Sequence, residues 1–135
     1  MMKNIVSRDI ALKLKEKQFN LECLYHYTTN GALRPNYVHP VDGEYTLEGA
    51  WGCCNTLFSD NTCDAPEASR VLEWLRKERN FHIVCPYYES EGFYFYVQEF
   101  GIGGRYNSID KDIDFYQKYE QAELAGIKYV IDNLI

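Results

Sequence analysis

The sequence has few of the features that mark nucleic-acid-binding and membrane-bound proteins. Its 14 basic residues are outnumbered by 20 acidic ones, which gives a net charge of −6, and its most basic run, Arg76-Lys77-Glu78-Arg79, is mixed. Because binding to a phosphate backbone requires a basic stripe, we expect no nucleic-acid partner. No apolar run approaches the roughly 20 residues of a membrane span, and the charged N-terminal stretch predicts neither a signal peptide nor an anchor. We therefore expect a cytoplasmic protein with no membrane partner.

Motifs for binding phosphate and calcium are also missing. Gly101–Arg105 follows a predicted strand, but it does not open into a helix, and the sequence lacks the Gly-Lys-Ser/Thr of a phosphate loop. The alternating acids Asp110, Asp112 and Asp114 lack the glycine and the terminal glutamate of a calcium loop. We expect no cofactor.

The five cysteines are an odd number, which excludes a complete disulfide framework. Cys53, Cys54 and Cys63 share one loop-like segment, and His39 lies upstream of it. Structural zinc sites use paired cysteine knuckles, whereas the adjacent Cys53 and Cys54 cannot easily point at one ion. Two hypotheses follow. Either these residues serve a small metal-binding protein or cysteine-dependent enzyme, or they are small buried thiols without chemistry, which is the interpretation we favour.

Apolar periodicity predicts three helices. The first follows an N-cap at Ser7, the second covers 67–79 behind an N-cap at Asp64, and the last runs from about Asp114 to Asn133. The buried stripe predicted for the last helix is Phe115, Tyr119, Ala122, Tyr129 and Val130.

Alternating apolar residues predict about four strands. One covers Phe19–Tyr27 and ends in an Asn-Gly turn, and a hairpin covers 81–100 with its turn at Glu89–Gly92. Pro86 should end the first strand of that hairpin or place that strand at a sheet edge, because proline cannot donate to a ladder. We predict a single α+β domain over 1–135 in the order α-β-β-(insertion)-α-β-β-α. It would be an antiparallel sheet with three helices packed on one face and a loop-rich insertion at about 33–63.

A resemblance supports this arrangement. The block "EASRVLEWLRKERNFHIVCPYY" and the closing "ELAGIKYVIDNLI" resemble a group of short uncharacterised proteins encoded by phages, prophages and mobile elements of gut bacteria. The resemblance covers the N-terminal helix and roughly the last seventy residues, with the insertion outside it. It implies the fold and leaves function nearly untouched, because it supplies no activity and no site residues.

Aromatic residues are plentiful, with 12 Tyr, 7 Phe and 2 Trp. If Phe93, Phe95 and Val97 face the helices, the residues in the other phase face away from them. That open sheet face would carry Tyr94, Tyr96, His82, Val84, His26 and Leu24. An apolar and aromatic face often marks an interface, although the insertion could equally fold over it. We favour a non-catalytic protein that uses this face to bind a protein partner or a second copy of itself.

Overall fold

The computed structural model describes residues 4–21, 23–35, 62–101, 106–109 and 111–135. Antiparallel pairing joins all the strands in these ranges, so the α+β class predicted from the sequence is confirmed, and the described ranges contain three helices. The helices are α1 (Arg8–Glu16), α2 (Ala68–Glu78) and α3 (Tyr119–Asn133). The strands are β1 (Tyr25–Tyr27), β2 (Leu33–Pro35), β3 (Cys63–Asp64), β4 (Phe81–Val84), β5 (Tyr87–Tyr88), β6 (Gly92–Phe93), β7 (Tyr96–Phe100) and β8 (Tyr106–Ser108).

The chain divides into two compact units, one ending at Arg70 and the other starting at Val71, with the boundary inside α2. This division does not test whether the two units form one domain, so the single domain over 1–135 stays a prediction. The strands are distributed over three small sheets, in the orders β2-β1-β3, β4-β7-β8 and β5-β6. Instead of the one sheet of about four strands predicted from the sequence, the described strands therefore form three smaller sheets. Among the described residues, no helix is long and apolar enough to cross a bilayer.

The first unit begins with α1, whose two ends are capped. The Ser7 hydroxyl accepts a hydrogen bond from the Ile10 backbone N–H at 3.4 Å, which confirms the predicted N-cap. At the other end Gln18 adopts a left-handed φ of 67°, and the Phe19 N–H donates to the Leu14 carbonyl at 2.9 Å. With the Gln18 N–H donating to the Lys15 carbonyl at 3.1 Å, this is a Schellman arrangement, and Phe19 is fully buried. The predicted strand therefore does not begin at Phe19, because that residue belongs to the helix cap.

The sheet of the first unit is centred on β1. The Asn-Gly turn joins β1 to β2 as predicted, with the Gly31 N–H donating to the Thr28 carbonyl at 2.9 Å. On its other side β1 pairs with β3, so His26 lies opposite Asp64. Asp64 is buried in this strand, and α2 begins only at Ala68, so the prediction of Asp64 as the N-cap is wrong. The two ends of the predicted insertion form β2 and β3, and its interior lies outside the described residues.

The second unit packs α3 on the sheet of β4 and β7. Phe81 and Ile83 are buried on β4. Val97 is buried on β7, and Phe95 is buried directly before that strand. These four residues have the inward phase predicted from the sequence. Gly126 lets the helix approach closely, because a Cβ built there would lie 2.7 Å from Ile83 Cγ2.

The predicted hairpin is interrupted at Cys85 and Pro86. β4 ends at Val84, two residues before Pro86, and the pairing resumes as the short ribbon of β5 and β6. Beyond the ribbon, Tyr116 and Phe93 exchange two backbone hydrogen bonds, of 2.7 and 2.8 Å. These bonds hold the chain extended at 116, so α3 begins at Tyr119 instead of near Asp114. Ala122 and Val130 of the predicted stripe are buried, whereas Phe115 and Tyr119 are exposed.

Candidate functional site

Four aromatic side chains of the second unit form a continuous row, which we call the aromatic row: Tyr88, Phe115, Tyr94 and Tyr96. Neighbouring ring centroids are 6.0 Å apart for Tyr88 and Phe115, 5.8 Å for Phe115 and Tyr94, and 6.4 Å for Tyr94 and Tyr96. Such separations are typical of interacting aromatic pairs. Tyr88 is 58% exposed and Phe115 is 42% exposed, so that end of the row is open to solvent.

Local geometry explains why the row lies on the surface. Residues paired across an antiparallel ladder share a face, and Tyr88 pairs with Gly92, which offers no side chain to cover it. Gly92 has a φ of 121°, and a Cβ there would lie 2.6 Å from the Tyr116 carbonyl oxygen. The Tyr116 backbone thus lies against Gly92, and Phe115 is presented next to Tyr88.

The structure brings four of the six predicted face residues to this region. Tyr96 pairs with Val84, so the two share a face, and His82 lies two residues before Val84 in the same phase of β4. All three are half-buried, opposite in phase to the buried Ile83 and Val97. The His82 ring also stacks on Phe100, with centroids 6.2 Å apart.

The other two predicted face residues belong to the first unit. His26 lies in β1, and Leu24 directly precedes that strand; both are half-buried. They are part of a different sheet from His82 and Tyr96, so the six residues do not form one sheet face.

The opposite face of the β5–β6 ribbon carries a second aromatic group. Tyr87 lies 5.0 Å from Phe93, whose ring lies 6.0 Å from Tyr119. The Tyr119 hydroxyl donates to the buried Glu123 carboxylate, and burial together with this carboxylate raises the pKa of Tyr119 to about 12. Burial, reinforced by Glu123, likewise raises the pKa of the Cys85 thiol to about 11. At neutral pH both groups keep their protons, so this cluster offers no thiolate.

The candidate cysteine segment is described only at Cys63. This residue is fully buried in β3, and burial raises the pKa of its thiol, an effect that Lys15 and Arg8 partly offset. A buried, protonated thiol is a poor nucleophile, which argues against Cys63 as a catalytic residue. Cys53, Cys54 and His39 lie outside the described residues. Within the described ranges, no group of three or more His, Cys, Asp or Glu side chains is placed to hold a metal ion.

An open groove of about 270 Å³ lies beside α3. Its charged groups are engaged within the protein, because the Lys128 ammonium lies 2.6 Å from Asp132 and the Lys111 ammonium lies 4.5 Å from the centre of the Phe95 ring. Lys111 is also 5.4 Å from the Tyr129 ring centre and 3.8 Å from the Asp114 carboxylate. Sites for small molecules are usually about 300–1,000 Å³, so the groove does not favour a small-molecule substrate.

Sequence reasoning missed Tyr88 and Phe115, the most exposed members of the row. The sequence does contain a signal for Tyr88, because the pair Tyr87-Tyr88 stands directly before the acidic turn "ESEG". Aromatic residues next to such a turn have no core to pack against. Phe115 gave a misleading signal, because its spacing from Tyr119 matches a helical stripe. Comparisons of the chain with protein-family models, curated proteins and solved structures gave no match.

Proposed function

We propose that the chain acts without catalysis, by binding another protein through the aromatic row. In keeping with the resemblance of its sequence, we assign it as a small cytoplasmic accessory protein of the phage or mobile-element type. The observation that carries the proposal is the position of the exposed apolar side chains. All the large hydrophobic residues that are well exposed in the described ranges lie between positions 87 and 119: Tyr87, Tyr88, Ile113, Phe115 and Tyr119. Of these, Tyr88 and Phe115 pack on each other as the exposed end of the row, whereas Tyr87 and Tyr119 belong to the group on the opposite face of the ribbon.

The composition of the row fits a protein partner. Tyrosine and phenylalanine are enriched at the centres of interfaces, because they bury a large apolar area with few rotatable bonds. Contiguous apolar surface that stays in water is unfavourable by about 25 cal/mol for each Å² that a partner could cover. Tyr96, the last member of the row, pairs with Val84, so a partner could extend its contact onto the β4–β7 sheet.

The alternative, a metal-binding protein or cysteine-dependent enzyme, has less support from the described residues. The pKa of the Cys63 thiol and that of the Cys85 thiol are both raised by burial, which is opposite to the shift that a nucleophilic cysteine needs. The proposal therefore places function on the aromatic row and leaves the cysteines in a structural role.

The test compares what the wild-type chain and row variants bind. Tyr88→Ser with Phe115→Ser removes the exposed end of the row, and Tyr94→Ser with Tyr96→Ser removes the other end. Tyr87→Ser is the matched control, because Tyr87 is 62% exposed but lies on the opposite face of the ribbon. Circular dichroism and a urea unfolding curve establish that each variant is folded.

Affinity capture from the native host, followed by mass spectrometry, then identifies the bound proteins, and native mass spectrometry of the purified chain reports self-association. We expect both row variants to lose a partner, or a second copy, that wild type and Tyr87→Ser retain. Equal binding by folded row variants and wild type would remove the proposal.

A further inference from the structure

We infer that the aromatic row recognises an arginine-bearing segment of a partner protein, and not a second copy of this chain. The inference rests on the proposed function, since it names the chemistry of the partner that the row would bind. It is carried by the charges at the two sides of the row and by the way this chain already pairs cations with aromatic rings.

Acidic side chains flank the exposed end of the row. Glu89 directly follows Tyr88 in the turn, Glu91 lies two residues further on, and both are exposed. In the part of the chain that the structure describes, neither of these two carboxylates has an ion-pair partner. On the other side Asp114 directly precedes Phe115, and its side chain is 72% exposed. Each of the two exposed rings is thus directly next to an exposed carboxylate in the sequence.

Arginine can interact both with the aromatic rings and with the carboxylates of this surface. Its guanidinium stacks on the faces of aromatic rings and forms paired hydrogen bonds with carboxylates, whereas the lysine ammonium is a more strongly hydrated point charge. Segment 87–120 contains seven acidic and three basic residues, so its charge is opposite to that of such a partner. Complementary charge speeds association and selects against like-charged surfaces.

The chain itself shows the same chemistry elsewhere in the second unit. The Lys111 ammonium lies 4.5 Å from the Phe95 ring centre and 3.8 Å from Asp114, so an aromatic ring and a carboxylate share one cation. The Arg79 guanidinium lies 5.2 Å from the Trp74 ring centre. Within this unit, cations therefore pack on aromatic rings as they would on the row.

A second copy is a poorer occupant because of the same acids. A two-fold contact centred on the row sets identical surfaces against each other, so Glu89 and Asp114 of one copy would lie near those of its partner. Like charges brought together at an interface oppose association. Charge thus favours a basic partner segment over self-association.

The test uses defined peptides as probes. The probe is a short peptide of alternating Arg and Ser; two matched peptides carry Lys or Glu in place of Arg. Binding is followed by chemical-shift changes of the backbone amides at Tyr88 and Phe115, at about 50 mM and about 300 mM salt. The protein variants are Tyr88→Ser, and Glu89→Gln combined with Asp114→Asn. Glu78→Gln is the control, an exposed acid at the end of α2.

We expect the Arg peptide to bind more tightly than the Lys peptide, and the Glu peptide to cause no shifts. The double variant Glu89→Gln with Asp114→Asn should weaken Arg-peptide binding by about twofold to fivefold for each carboxylate removed, and Tyr88→Ser should weaken it about threefold to tenfold. Glu78→Gln should bind like wild type, and higher salt should weaken binding. Equal shifts with the Arg and Glu peptides, no shifts with any peptide, or an unchanged affinity in the double acid variant would overturn the inference.

The outcomes separate this inference from the proposed function. A dimer of the wild-type chain that Tyr88→Ser dissociates would overturn the arginine-bearing partner and leave contact through the row intact. So would a captured partner that is released by the row variants but is insensitive to salt and to Glu89→Gln with Asp114→Asn. If the row variants change neither capture nor self-association, the proposed function itself fails.

Discussion

Replacing Gly126 with Ala should destabilise the second unit, although alanine usually stabilises a helix relative to glycine. Gly126 is buried in α3, where the helix lies on the β4–β7 sheet. A Cβ at this position would lie 2.7 Å from Ile83 Cγ2 and 3.3 Å from two ring carbons of Phe95. Ordinary carbon contacts are about 3.5–4.0 Å, so α3 or β4 would have to move by several tenths of an ångström.

The expected size of the effect follows from two opposing contributions. Inserting a methyl group into a packed core costs about 1–3 kcal/mol, and this site lies toward the upper end because Ile83 is branched at Cβ and only 6% exposed. Alanine in a helix interior is better than glycine by about 1 kcal/mol. The free energy of unfolding should therefore fall by about 1–2 kcal/mol.

Urea unfolding followed by circular dichroism measures this loss. With a denaturant slope of about 2 kcal/mol per M, the midpoint should fall by roughly 0.5–1 M. A second measurement identifies the contact responsible. Leucine at position 83 lacks the Cγ2 branch, so Gly126→Ala should cost less in an Ile83→Leu background, with a coupling of at least about 0.5 kcal/mol.

Two results would refute this reasoning. A higher midpoint for Gly126→Ala would mean that helix propensity outweighs the contact, and that α3 does not depend on a close approach at this residue. A loss of the same size in both backgrounds would mean that Ile83 is not the residue that resists the new methyl group.

Two further predictions concern the α1 cap and the buried ionisable groups. Gln18→Gly should raise the free energy of unfolding by about 0.5–1 kcal/mol, because glycine adopts the left-handed φ of 67° without strain; a lower thermal midpoint would contradict this. Alkylation of Cys85, followed by peptide mapping, should accelerate with pH until about pH 11, whereas in denaturant it should level off near pH 9. Since the pKa values of Cys85 and Tyr119 are raised on folding, their contribution to stability is complete below pH 9 and is lost above it. The urea midpoint should thus fall between pH 8 and pH 10.5, and a constant midpoint would show that these shifts are absent.

The sequence predicted the elements whose signals are local. The Ser7 cap, the Asn-Gly turn and the inward phase of Phe81, Ile83 and Val97 each depend on residues within a few positions of one another, and each is confirmed. Tyr94 and Tyr96 were placed together for the same reason. Phe19 was misassigned because a left-handed Gln18 gives no signal of a helix cap, since glycine usually fills that position.

The exposed end of the aromatic row could not be predicted, because it depends on a contact between distant parts of the chain. Phe115 stands at a helical spacing from Tyr119, and local periodicity therefore assigns it to α3. The hydrogen bonds between Phe93 and Tyr116 override that preference and place Phe115 beside Tyr88, twenty-seven positions earlier. The same bonds change the role of Asp114. As a helix-start residue it would lie at the positive end of a helix, whereas in the extended segment it directly precedes the exposed Phe115 and is itself 72% exposed. A single long-range backbone pairing thus places two exposed rings together, with an exposed carboxylate next to one of them in the sequence, and on this basis we infer an arginine-bearing partner.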